Sequence, residues 1–266
     1  MKLTKKIAPI FLIILPFLLL NAQNKGGIMI VDYQYQNDFF SHVENLIVND
    51  SNAVYIRPSL NIKNENKKPV EKTEGNWVLP IEEIKTSSVA LFYNKKDNRL
   101  YEYTVNLKNK RFIVNDSSFH IEWKVDKAIT KKIDKYLCYK ATTNFRGRSF
   151  TAFFTPEIPI SFGPFKFHNL PGLIVRLENN ENDISHIWTL KALSRKNSNS
   201  VMPQINDLDA PTINAYQMNK MNKKIREEKS RRFSSRNPKG VTHTKTEIKN
   251  LGIEKIYEWE LNNEQQ

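Results

Sequence analysis

Val89-Ala90-Leu91-Phe92-Tyr93-Asn94-Lys95-Lys96-Asp97-Asn98-Arg99-Leu100-Tyr101-Glu102-Tyr103-Thr104-Val105-Asn106-Leu107 carries the pattern that decides the fold. Its second half alternates: Tyr101, Tyr103, Val105 and Leu107 against Glu102, Thr104 and Asn106. A period of two describes a strand with one buried and one wet face. Val89 to Tyr93 is an apolar run, and the polar residues 94–98 between the two runs have hairpin length. The stretch therefore predicts an antiparallel pair.

The same signs recur on both sides. Phe119, Ile121, Trp123 and Val125 alternate with His120, Glu122, Lys124 and Asp126. Residues 136–144 and 148–155 flank Phe145-Arg146-Gly147, where Gly147 can supply the positive φ of a tight turn. Residues 173–177 and 184–191 are separated by Asn179-Asn180-Glu181-Asn182-Asp183, which favours a turn. Residues 28–35 read as an opening strand and 253–259 as a closing one. The fold class expected is mainly β, an antiparallel curved sheet or open half-barrel. Two stretches break the pattern: the charge-rich residues 61–76 read as an exposed loop, and 195–209 as a linker. A helical excursion follows at 211–233, with Asp209 placed to cap it and basic residues at its C-terminal end. Met218, Met221 and Ile225 give that helix only a thin apolar stripe.

At the N-terminus, Lys2, Lys5 and Lys6 precede an apolar run of 14 residues, Ile7 to Leu20. This is the anatomy of a signal peptide, and Pro9 and Pro16 interrupt a run already short for a membrane span. Cleavage is expected near Ala22-Gln23, leaving 23–266 as a single β-rich domain. The one cysteine, Cys138, lies far from that junction, so lipid attachment there is not expected and the protein is not a lipoprotein. It also cannot form an internal disulfide, so packing and hydrogen bonds must hold the fold. The net charge of +13 is concentrated rather than spread: nine basic residues between Met218 and Gly240 face only Glu227 and Glu228. Lys223, Lys224, Arg226, Arg231 and Arg232 form the centre of this patch. Outside the cytoplasm such a patch suits anionic lipid headgroups or an acidic envelope protein, and nucleic acid is not expected as a partner.

The most unusual segment is residues 157–174, Glu-Ile-Pro-Ile-Ser-Phe-Gly-Pro-Phe-Lys-Phe-His-Asn-Leu-Pro-Gly-Leu-Ile. Pro159, Pro164 and Pro171 favour extended geometry in the residues before them, and Pro171-Gly172 suits the centre of a type II turn. A loop bearing Phe162, Phe165, Phe167 and Leu170 should fold over the sheet, since burying each large side chain is worth about 1.5–3 kcal/mol. Asn169-Leu170-Pro171-Gly172-Leu173-Ile174, with Gly163-Pro164-Phe165-Lys166-Phe167 and Ile158-Pro159-Ile160 before it, resembles the signature of the GLPGLI family of exported Bacteroidota proteins. Trp123, Lys132-Ile133, Tyr136, Cys138-Tyr139-Lys140-Ala141 and Ala152-Phe153-Phe154-Thr155 are similar to that family's approach to the motif. Asn169 stands where the motif has its first glycine, and asparagine tolerates left-handed backbone. The resemblance implies an envelope compartment, periplasmic or outer-membrane associated, and it carries over no established catalytic residues.

Function is accordingly expected to be non-catalytic, an envelope binding or accessory protein, with Phe162, Phe165, Phe167, Leu170, Pro171 and Gly172 lining a ligand or partner site. Two alternatives are a carrier of an apolar ligand or lipid, and a hydrolase with an unrecognised active site. For the hydrolase, Gly147-Arg148-Ser149 begins like a nucleophile elbow, but Thr151 replaces the closing glycine. None of the five histidines has metallopeptidase spacing, and no phosphate, calcium or zinc motif is present, so no metal or cofactor is expected. His186 reads as a core histidine bonded to backbone and Cys138 as a buried filler. A cavity beside Pro171-Gly172 would favour binding, and titratable groups converging in one cleft would favour an enzyme.

Overall fold

The computed structural model describes residues 27–58, 89–117, 119–196, 202–235 and 251–261. The expected signal peptide at 1–22 and the charge-rich loop at 61–76 lie outside the described residues. Twelve strands are described: β1 (Ile28–Asn37), β2 (Ser41–Val48), β3 (Asn52–Arg57), β4 (Val89–Asn94), β5 (Arg99–Val105), β6 (Arg111–Asn115), β7 (Lys124–Ile133), β8 (Tyr136–Phe145), β9 (Arg148–Thr155), β10 (Leu173–Asn179), β11 (His186–Lys196) and β12 (Thr212–Asn214). Helix α1 (Ala215–Ser234) and the single turn α2 (Glu258–Leu261) follow. The strands form one open sheet in the order β12-β6-β5-β4-β3-β2-β1-β11-β10-β9-β8-β7. Every pairing is antiparallel except β12 on β6.

Alternation sorts the side chains onto two covered faces. From β1, β3 and β4, Val31, Tyr33, Tyr35, Ala53, Tyr55 and Leu91 enter one core. Ile28, Val54, Ile56, Ala90 and Phe92 enter a second core on the opposite face. Residues 156–172, between β9 and β10, fill the first face. The second is covered by Met202 and Leu208, so the stretch expected as a linker at 195–209 is instead partly β11 and partly a lid on the sheet. The β8–β9 turn has Arg146 at φ 45° and Gly147 at φ 79°, the two positive values of a type I′ hairpin.

Three expectations need correction. Residues 119–123 keep the expected inside-outside pattern, with Ile121 buried and His120 and Glu122 exposed, yet they form no ladder. The strand begins at Lys124 and runs to Ile133 as an exposed edge, bulged where the Ala128 amide donates to Asp126 at 2.9 Å. Residues 253–259 form no strand: Ile253 is buried, and the Lys255 and Ile256 amides both donate to the Arg146 carbonyl at 2.9 and 3.1 Å. The helix starts four residues after Pro211, because Thr212–Asn214 first pairs with β6. Asn214, not Asp209, caps it: its Oδ1 accepts from the Gln217 amide at 2.8 Å, and Gln217 Oε1 accepts from the Asn214 amide at 2.9 Å.

Candidate functional site

The loop at 156–172 is a plug, and its backbone is built for close approach. Asn169 adopts φ 72°, the left-handed geometry the sequence anticipates. Gly172 sits at φ 155°, where a Cβ would lie 2.2 Å from the Thr155 carbonyl oxygen. This is not the type II turn expected, since the Leu173 amide donates across to Ile158 O at 2.9 Å. Gly163 has little room either, because a Cβ there would lie 2.9 Å from the Phe167 carbonyl oxygen. Inside the plug, Gly163 N donates to Phe167 O at 2.8 Å and Asn169 N to Ser161 O at 2.8 Å. Trp123 Nε1 donates to His168 O at 2.8 Å, tying the plug to the segment before β7.

Phe167 is the centre of this arrangement. Its ring lies 4.7 Å from that of Phe150, 5.2 Å from Phe145, 6.0 Å from Trp123 and 6.3 Å from Trp188. On the other side, Phe162 packs edge-on against Tyr93 at 5.0 Å. The plug thus touches β4 and β8–β11 at once, which requires the sheet to curl around it. Of the residues expected to line a site, Phe162, Phe165, Phe167, Leu170 and Gly172 are buried and Pro171 is exposed. The space left beside Phe165 and Phe167 is about 20 Å³, room for one water.

Only Phe162 of that set reaches a larger opening. Outside the plug runs a trough of about 950 Å³, lined by residues 157–162, Met29, Val48 and Leu193, with Asp50, Lys95 and Arg195 also on its walls. Its lining mixes apolar and charged side chains.

Beneath the plug lies a buried polar group centred on Glu44. Its carboxylate accepts from Trp188 Nε1 at 2.7 Å, from Arg57 Nε at 2.6 Å and from the Tyr55 hydroxyl, and pairs with His42 Nε2 at 2.9 Å. Burial favours the neutral acid, but Arg57 and these hydrogen bonds hold the group below the usual carboxylate range. The Arg57 guanidinium in turn lies over the rings of Tyr35 and Phe165, at 5.3 and 5.4 Å. Tyr35 OH accepts from Asn37 and lies 2.7 Å from His186 Nδ1. His186 is the expected core histidine, with the Tyr35 hydroxyl as a side-chain partner.

The sequence did not reveal the second polar group. Lys166 Nζ, at the tip of the plug, contacts Asp116 at 2.6 Å, Glu254 at 3.0 Å and Glu102 at 3.1 Å. Arg146 pairs bidentately with the same Asp116, at 2.6 and 2.9 Å, and also with Glu254 and Glu258. Burial works against both charges. Nevertheless the surrounding carboxylates hold Lys166 well above the ordinary lysine value, and Lys166 with Arg146 holds Asp116 well below the ordinary aspartate value. A lysine flanked by Phe165 and Phe167 was the available signal, since a charge in an apolar run must find partners. Lys166, Asp116, Glu102 and Glu254 floor a polar cleft of about 300 Å³ under α1, where Asn219, Asn222 and Arg226 also line it.

The remaining candidates are accounted for locally. Cys138 is buried, and burial with the nearby Glu157 pushes its thiol up to about 11, so it is protonated at neutral pH. Ser149 lies on a hairpin strand with its hydroxyl 2.8 Å from Asn144 Oδ1. Among the described residues no cluster of three or more His, Cys, Asp or Glu side chains is arranged to hold a metal.

Residues 145–176 match the sequence model of a family described as "Protein of unknown function (Porph_ging)". No curated protein sequence matches the chain. A solved structure of PNGF-II in a P21 space group is similar, with 14% identity, a TM-score of 0.50, and coverage of 73% of this chain and 33% of that one. A second PNGF-II structure, in space group C2, gives 16% identity and a TM-score of 0.49 over 74% of this chain and 32% of that one. The chain spans about a third of the PNGF-II chain, and the likeness is one of fold.

Proposed function

We propose that this chain is an exported, non-catalytic binding protein of the bacterial envelope, of GLPGLI type, whose trough outside the plug receives an elongated amphipathic ligand. The observation that carries the reading is the trough itself. Its volume of about 950 Å³ falls at the upper end of the range for ligand sites, and it sets Met29, Val48, Ile160, Phe162 and Leu193 beside charged groups. Such a lining suits a molecule with an apolar body and a charged end better than a purely apolar one. The signature at residues 169–174 lies within the residues that match the related family of unknown function, which supports the GLPGLI reading. Export rests on the N-terminal sequence pattern.

A hydrolase reading would use the cleft under α1, where titratable groups do converge. There Asp116 is held ionised by two cations and Lys166 is held as an ammonium, so neither is poised to exchange a proton near neutral pH. The binding reading is therefore preferred. Native mass spectrometry of the protein from its own envelope fraction, beside a Met29→Trp/Leu193→Trp variant that narrows the trough, tests it. A stoichiometric companion molecule present in the wild type and lost in the variant is expected. A wild type that carries nothing, or a variant that keeps the same companion, would refute the trough as the site.

A further inference from the structure

We infer that the outward face of α1, with the aromatic side chains at its N-terminal end, is a docking surface for an anionic lipid membrane. The helix spends its apolar stripe on the sheet: Ala215 and Met218 pack on Phe112 and Val114, with Met221 against them. Asn222 Oδ1 accepts from the Leu107 amide at 3.0 Å, and Lys229 Nζ donates to the Leu107 carbonyl at 3.3 Å, fixing which side faces inward. At 100° per residue the opposite face comprises Tyr216, Lys220, Lys223, Lys224, Glu227 and Arg231, all exposed. The face carries four cations and one acid. The neighbouring Glu228 is turned aside to Lys108 at 3.2 Å. Of the patch expected from sequence, Lys223, Lys224 and Arg231 share this face, whereas Arg226 lines the cleft and Arg232 lies on the other flank.

Two features favour a membrane over an acidic protein. The cations, from Lys220 to Arg231, line about 16 Å of one helix face, a shape that meets a plane of headgroups and not a pocket. At its N-terminal end Tyr216 is 49% exposed and packs edge-on against Trp259 at 5.7 Å, while Leu261 on α2 is 54% exposed. Aromatic and aliphatic side chains beside a basic face are the anchors of interfacial binding. This surface is separate from the trough and does not depend on what the trough holds.

Flotation of the full chain with phosphatidylcholine vesicles, with and without phosphatidylglycerol, tests the inference. Binding is expected only with the anionic lipid, and is expected to weaken steeply with salt. Neutralising Lys223, Lys224 and Arg231 to Gln should lower the partition about a hundredfold, and Glu227→Lys should raise it about twenty-fivefold. A gain in a Glu227→Lys variant whose circular dichroism and thermal midpoint match the wild type comes from charge and not from misfolding, so the second variant keeps the test decisive if the first is unstable. Equal binding to both vesicle types, or a neutralised variant that folds and binds unchanged, would overturn it. So would capture of soluble polyglutamate in place of vesicles, which would mark an acidic protein partner.

Discussion

Arg146 and Asp116 form a fully buried bidentate ion pair between the β8–β9 turn and the residue that follows β6. In the sheet, β5, β4, β3, β2, β1, β11 and β10 lie between β6 and β9. The pair therefore fastens the two ends of an open sheet together, with Lys166 of the plug sharing the same carboxylate. Arg146→Met strips the buried Asp116 of one of its two cations and leaves it Lys166, so its expected cost is about 3 kcal/mol in urea unfolding, the low end for a broken buried pair. Adding Asp116→Leu should cost clearly less than the sum of the single variants. Loss of under about 1 kcal/mol in the Arg146 variant would mean that the pair does not hold the ends.

Backbone geometry in the signature makes a separate claim. At Gly172, alanine would clash with the Thr155 backbone, so Gly172→Ala is expected to destabilise by more than about 3 kcal/mol. Asn169 already occupies left-handed space at φ 72°, so Asn169→Gly should change stability by less than about 1 kcal/mol. Thermal unfolding of the two variants decides this. Similar midpoints for both would show that the close approach at Gly172 can relax.

Acid should weaken the fold in stages. Burial, with Arg148 and Arg57 nearby, lowers His186 to about 4, against about 6.5 when it is exposed on unfolding. The unfolded chain thus binds the proton first, so this stability is complete above about pH 6.5 and drains away between there and about pH 4. The loss is at most about 3 kcal/mol. Glu44 and Asp116, both held low, add further loss only as pH falls below the ordinary carboxylate values. Urea midpoints followed from about pH 8 to about pH 4 should show the first stage in the wild type, and His186→Gln should shrink it to the share of His168, which burial also lowers. A wild-type profile that is flat across that window would contradict the buried, neutral histidine.

What could be read in the sequence depended on which faces are covered. β4, β5, β8, β9, β10 and β11 declared themselves through alternation or apolar runs bounded by turn residues. β7 did not, because nearly all of its side chains are exposed and no period separates inside from outside. β3 hides in another way: Ala53, Val54, Tyr55 and Ile56 are all buried, since both faces of the sheet are covered there. Residues 253–259 misled because Ile253 and the aromatic side chains imitate alternation, whereas ion pairs to Arg146 and backbone bonds to its carbonyl dictate the path. The plug's burial was legible from its four large apolar side chains. Its partners were not, because curvature alone brings Asp116, Arg146, Lys166 and Glu254 together from distant parts of the chain.

Among the described residues no strand pairs with β7 on its outer side, and this margin has a consequence for association. Lys124, Lys127, Lys131 and Lys132 stud this strand, and its bulge breaks the regular row of amides. A second molecule laid antiparallel along it would set ammonium against ammonium across the new ladder. At the opposite margin, β12 offers only three residues before α1 begins. Among the described residues, like charge and a bulge at one end and shortness at the other both work against edge-to-edge growth, which is how an unclosed sheet is kept from stacking on its copies.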